Sequence, residues 1–141
     1  MNTIPCDTIS FAEMFDNRIN KYSAEECFRS LQAHFSCNRA KFEESSMWLA
    51  RLDLLASPVI HYLIEIRDSR NIRVTHKDFL NTLDMRKIAE IVKSEQLSDD
   101  VKSRLEGYLE RIQYHHYEAQ GEQSHEVQNF CMKSAIELLF E

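Results

Sequence analysis

An all-α fold, a single compact bundle of about six to seven helices, follows from three features of this 141-residue chain. Only Gly107, Gly121, Pro5 and Pro58 interrupt it. A sheet protein of this length would need many turns, and turns call on Gly and Pro for their special dihedrals. Two Ser-x-x-Glu boxes mark helix starts near the N-terminus, and apolar residues recur at three- and four-residue spacing instead of alternating. The length suits one domain over residues 1–141, enough to enclose one hydrophobic core.

The boxes Ser10-Phe11-Ala12-Glu13 and Ser23-Ala24-Glu25-Glu26 predict helices near 11–21 and 24–36. In each, the Ser oxygen and Glu carboxylate would satisfy orphan amides of the first turn. The first helix should bury Phe11, Met14, Phe15 and Ile19, the second Cys27, Phe28, Leu31 and Phe35. A longer helix is expected from about Arg39 or Ser45 towards Asp68, with the stripe Trp48, Leu52, Leu55, Val59, Tyr62, Leu63 and Ile66. Pro58 lies within it, so the helix either kinks there or restarts with Ser57 as cap. The unbroken phase of the stripe favours the kink.

Ile72-Arg73-Val74 reads as a short extended link, after which Thr75 caps a helix through Asp78 with Phe79 and Leu80 inside. Met85, Ile88, Ile91 and Val92 mark the next helix. Ser98, Asp99 and Asp100 open another, since oxygen acceptors and negative charge both suit a helix N-terminus. That helix should bury Val101, Leu105, Tyr108, Leu109 and Ile112, slightly weakened by Gly107. Gly121-Glu122-Gln123-Ser124 reads as a loop before a last helix carrying Val127, Phe130, Cys131, Ile136, Leu138 and Leu139. The predicted core includes Trp48, Leu52, Leu55, Leu63, Ile66, Phe79, Ile88, Leu105, Leu109 and Ile136.

The net charge of −6 is unevenly spread. Residues 70–112 are almost neutral, whereas residues 113–141 set Lys133 alone against five glutamates. That balance disfavours nonspecific DNA binding by the whole chain. Cys6, Cys27, Cys37 and Cys131 form no CxxC pair, and no apolar leader segment is present. Reduced thiols and a cytoplasmic location are the expectation. The most apolar run, residues 54–66, is too short and too polar to span a bilayer, so no membrane insertion is expected.

No chemistry-bearing motif stands out. His115, His116, Glu118 and Glu122-x-x-His125 contain one Glu-x-x-His where a helical di-metal site needs two, and adjacent histidines point about 100° apart on a helix. Cys37 near His34 and Cys131 near His125 lack an evident orienting group, and Cys27 and Cys131 read as small core residues. There is no Gly-rich phosphate loop. The expectation is therefore no autonomous enzyme activity, no cofactor and no metal.

Arg67 and Asp68, at the end of the long apolar helix, read first as polar helix-end residues and second as part of a partner-binding elbow. Lys77, Arg86, Lys87, Lys93, Lys102 and Arg104 read first as a solvated face, balanced by Asp78, Asp84, Glu90, Asp99 and Asp100. The candidate partner-binding set is Arg67, Asp68, Lys77, Lys87, Lys93, Lys102 and Arg104.

Read in order, Met47-Trp48-Leu49-Ala50-Arg51 opens a long helix that ends in Glu65-Ile66-Arg67-Asp68. Asn71-Ile72-Arg73-Val74 follows, then Phe79 to Ile91 with Leu83-Asp84-Met85, then Leu97-Ser98 and Leu105-x-x-Tyr108-Leu109. Over about residues 22–117, and weakly to 141, this order resembles the all-alpha domain of type IV coupling proteins, the hexameric ATPases of conjugation and type IV secretion. The chain departs from the full family in having no nucleotide-binding loop and no transmembrane region. The resemblance implies a non-catalytic substrate-recognition or docking domain at the cytoplasmic face of the inner membrane. Its partners would be transfer substrates, such as relaxase–DNA complexes or secreted proteins, or their adaptors. A protein partner is expected, DNA binding by this chain alone should be weak, and the isolated domain should be monomeric. The alternative is a free-standing all-helical adaptor, chaperone or inhibitor. A small metal-dependent enzyme built on the histidines is the third reading.

Overall fold

The computed structural model describes residues 10–37, 46–112 and 123–141, without the side chains of 46–48 and 123–128. Among the described residues the chain forms seven α-helices and no strand: α1 (Phe11–Ile19), α2 (Ala24–Cys37), α3 (Ser46–Arg70), α4 (His76–Thr82), α5 (Met85–Ser94), α6 (Asp99–Arg111) and α7 (Gln123–Leu138). The fold is an all-α bundle, as the sequence predicts. The expectations for Trp48 as a core side chain, and for His115, His116, Glu118, Glu122 and His125, lie outside the described residues.

Local chemistry sets most of the helix starts. The Ser10 hydroxyl accepts from the Glu13 amide at 3.1 Å. Ser23 and Glu26 form the reciprocal box, the Glu26 amide donating to Ser23 Oγ and the Ser23 amide to Glu26 Oε1, both at 3.2 Å. The Thr75 amide donates to the Asp78 carboxylate at 2.9 Å. Asp84 Oδ1 takes the amides of Arg86 and Lys87, and Ser98 Oγ takes that of Val101. The box at residue 23 and the cap at Ser98 thus act where the sequence places them.

The axis of the bundle is α3, against which α2 and α6 pack most extensively, with α7, α4 and α1 completing the wrap. Such a helix must be apolar on more than one side. Leu52, Leu55, Ala56, Val59, Ile60, Leu63 and Ile66 are all buried, a wider band than the predicted stripe, which omits Ala56 and Ile60. The helix is continuous through Pro58, which excludes the restart at Ser57. Phe15, Ile19, Cys27, Leu31 and Phe35 reach the same core, whereas Phe11 and Phe28 are half-buried at its edge. Leu109 is also only half-buried, in contrast to the expectation, because the α6 face turns Leu105, Tyr108 and Ile112 inward. No side chain packs where a Cβ on Gly107 would stand.

The final helix buries Ile136 and Leu139 as expected, but three other residues of the expected face turn outward. Phe130 is 68% exposed and Leu138 42%, and Cys131 is exposed, so Cys131 is not the core residue anticipated. The buried face is Asn129, Met132, Ala135, Ile136 and Leu139. The first described side chain on this face is polar, so a count of apolar positions misses it; Val127 lies outside the described side chains. Asn129 Oδ1 accepts from the Met85 amide at 3.2 Å. Its Nδ2 donates to the Leu83 carbonyl at 3.0 Å and to Tyr108 Oη at 2.8 Å. These three bonds knot α7 to the α4–α5 junction and to α6. The helix also begins at Gln123, inside the stretch read as loop.

Candidate functional site

The polar elbow at the end of α3 is built by a helix-stop signal. Asn71 takes a left-handed conformation (φ 52°), and the Ile72 amide reaches back to the Arg67 carbonyl at 3.2 Å. This is the six-to-one closure of a helix C-terminus, with Asn in the place more often taken by Gly. Residues 72–75 then run as a link without regular structure to α4.

Two polar side chains, Asn20 and Asp16, hold that link and the start of α4 against the end of α1, and a third, Arg67, ties α3 to the α1–α2 turn. Asn20 pairs with Val74 in both directions, Nδ2 donating to its carbonyl at 2.6 Å and Oδ1 accepting its amide at 3.0 Å. Asp16 accepts from the His76 amide, and the His76 ring lies within 3.1 Å of both Asp16 carboxylate oxygens. Arg67 Nη1 donates to the carbonyls of Ile19 at 2.8 Å and Tyr22 at 3.2 Å, acceptors that the end of α1 leaves open. Its Nε and Nη2 donate to the two oxygens of Asp68 at 2.8 and 3.1 Å. That hydrogen-bonded pairing holds the Asp68 carboxyl below its usual range. Arg67 is thus a clamp between α3 and the α1–α2 turn.

The result is an open cleft of about 500 Å³ lined by Asn20, Lys21, Arg67, Asp68 and the link residues Asn71, Ile72 and Arg73. Its electrostatics are lopsided. Asp68 is committed to Arg67. The nearby Glu95 carboxylate takes Arg70 Nη2 at 2.8 Å and Tyr62 Oη at 2.9 Å, which raises the Arg70 pKa. Burial, with the Glu95 bond second, pushes the Tyr62 hydroxyl up to about 12. Among the described residues, no carboxylate pairs with Lys21 or Arg73.

The remaining candidates are dispersed. Lys77 is exposed on α4, Lys87 and Lys93 on α5, and Lys102 on α6. Arg104 Nε is tied to Asp100 at 3.0 Å and lines a separate depression between α2, α3 and α6, with Glu25, Asp53 and His61. Residues two apart on a helix point about 200° away from each other, so Lys102 and Arg104 do not share a face of α6. In that depression His61 Nδ1 faces the Ser57 carbonyl at 2.8 Å and therefore donates, while Nε2 lies 3.4 Å from Glu25 outside hydrogen-bond geometry. The Glu25 carboxyl is held low chiefly by a hydrogen bond from its own backbone.

Burial pushes the Cys27 thiol up to about 11, the behaviour of a core residue, and Cys37 is the exposed last residue of α2. Among the described residues no group of three or more His, Cys, Asp or Glu could hold a metal ion, and no helix is long and apolar enough to cross a membrane. The sequence places Arg67 and Asp68 at the elbow but does not bring Lys21 and Arg73 beside them, as the cleft does. Their local signal was the polar run Asn20-Lys21 and the Arg beside Ile72, which nothing local connects. Compared with known proteins, the chain matches no family model, and no curated protein or solved structure is significantly similar to it.

Proposed function

We propose that this chain is a non-catalytic docking domain that recognises a protein, in the manner implied by its resemblance to the all-alpha domain of type IV coupling ATPases. The observation that carries the reading is the elbow. A 25-residue helix carries Arg67 and Asp68 in its last turn beside a polar open cleft, and that cleft is braced by Asn20, Asp16 and Arg67. A braced, solvent-open surface is suited to recognition, since little ordering cost remains when a partner binds. The partner would be a transfer substrate or its adaptor, met in the cytoplasm by the domain as a monomer.

Duplex DNA is the weaker partner. Lys77, Lys87, Lys93, Lys102 and Arg104 are spread over three helices, and a chain of net −6 gains little from counterion release. Surface plasmon resonance on the immobilised chain tests the reading, with purified relaxase, relaxase bound to its DNA, and that DNA alone as analytes. Binding should follow the protein-containing analytes and be absent for DNA alone. Binding only to DNA, or to none of the three, would refute it. Micromolar ATP binding by calorimetry would also defeat it, since this chain carries no phosphate-cradling loop.

A further inference from the structure

The α3–α4 elbow carries charge and apolar surface that the fold itself does not use. Arg67, Asp68, Arg70 and Glu95 neutralise one another in pairs. Lys21 and Arg73, both exposed, line the cleft without an ion-pair partner among the described residues, on a protein of net charge −6. Among the described residues four large hydrophobics are exposed; Ile72, 44% exposed, lines the cleft, and Tyr22, 47% exposed, follows Lys21 in the chain and has its backbone carbonyl held by Arg67.

We propose that this elbow docks an acidic segment of a partner protein, Lys21 and Arg73 meeting its carboxylates while Tyr22 and Ile72 receive an apolar side chain. The inference rests on the docking reading above and names its surface and partner chemistry. Charge complementarity selects the partner: an acidic peptide satisfies two separated cations, whereas a duplex needs a long run of them to release counterions. An exposed aromatic and an aliphatic residue beside the cations supply the apolar contact that concentrates binding energy at a protein interface. The backbone around the cleft is already fixed by the Asn20–Val74 pairing and the Asn71 turn, so docking needs no rearrangement of it.

Fluorescence anisotropy on the whole chain tests this with a labelled Glu-Asp-Leu-Phe-Glu-Asp-Glu peptide, the same peptide with lysine at every acidic position, and a short labelled DNA duplex. The acidic peptide should bind saturably and the basic peptide should not. The double variant Lys21→Glu/Arg73→Glu should weaken binding about tenfold, as expected for two exposed charge contacts. Ile72→Ser should weaken it as well, while Lys87→Glu/Lys102→Glu leaves it unchanged. All three variants alter exposed side chains, and unchanged melting curves would exclude unfolding as the cause.

Equal binding by Lys21→Glu/Arg73→Glu, loss of binding in Lys87→Glu/Lys102→Glu, or tighter binding of the duplex would overturn the assignment. So would the absence of saturable binding to the acidic peptide. The two readings fail separately. A transfer substrate that still binds Lys21→Glu/Arg73→Glu in the resonance assay leaves the docking domain standing and removes the elbow. Elbow-dependent peptide binding without any transfer-substrate binding does the reverse.

Discussion

Replacing Asn129 by Leu should be among the most damaging single changes on α7, although the substitution makes the helix more apolar. Asn129 is 5% exposed and answers three groups at once: the Met85 amide, the Leu83 carbonyl and the Tyr108 hydroxyl. Leucine leaves all three without their partner. A typical intramolecular hydrogen bond contributes about 1 kcal/mol net, and an abandoned buried polar group costs about 1–3 kcal/mol. Some relief comes from the new apolar side chain and from rearrangement, so the loss should be about 3 kcal/mol. With an unfolding entropy of about 2.1 cal/mol/K per residue, a chain of 141 residues has about 0.3 kcal/mol/K, and Tm should fall by about 10 °C. Tyr108→Phe removes one of the three bonds and should lower Tm by only about 3 °C. A double-mutant cycle read by circular dichroism melts should give a coupling of about 1 kcal/mol between the two sites. A Tm shift under about 2 °C for Asn129→Leu would mean that α7 is not held by this knot.

Arg67→Met should cost about 3 kcal/mol in a denaturant melt, because two carbonyls of the α1–α2 turn lose a charged donor. Arg67→Lys should recover little of this, since a single ammonium cannot serve both carbonyls and Asp68 as the planar fork does. Leu105→Ala, at a fully buried position, should cost about 2–5 kcal/mol, and Leu109→Ala, half-buried, clearly less; equal losses would show the α6 face to be misassigned. Alkaline titration should destabilise the fold: burial, with a smaller opposing contribution from the Asn129 hydrogen bond, raises Tyr108 from 10 to about 12. The unfolded chain therefore releases this proton first. The contribution is fully present below pH 10 and is lost as pH rises towards 12, at up to about 1.4 kcal/mol per pH unit. Tyr108→Phe should flatten that slope, and an unaltered slope would contradict the assignment.

What the sequence made legible was whatever is decided within a turn of helix. Ser23 and Glu26 lie three residues apart, as do Ser98 and Val101, and both starts sit where the caps place them. The apolar band of α3 could be followed through Pro58 because it is long enough to keep its phase. The failures are polar and distant. Asn20 meets Val74 across 54 positions and Arg67 meets Ile19 across 48, and no periodicity reports such a pairing. Asn129 looks like a solvent residue in a linear reading, yet it sets the rotation of α7 and turns Phe130 outward. The binding candidates suffered likewise: Arg67 and Asp68 were visible as a polar elbow, but Lys21 joins them only through the docking of the α1–α2 turn on α3, and Arg73 through the chain reversal at Asn71.

Backbone amide chemical-shift mapping of the isotope-labelled chain during titration with a transfer substrate decides whether recognition occurs at this elbow. Shifts confined to residues 20–22 and 67–74, and abolished by Lys21→Glu/Arg73→Glu, are the predicted result. Shifts centred on Lys87, Lys93 and Lys102 would contradict it, as would a spectrum that does not change at saturating substrate.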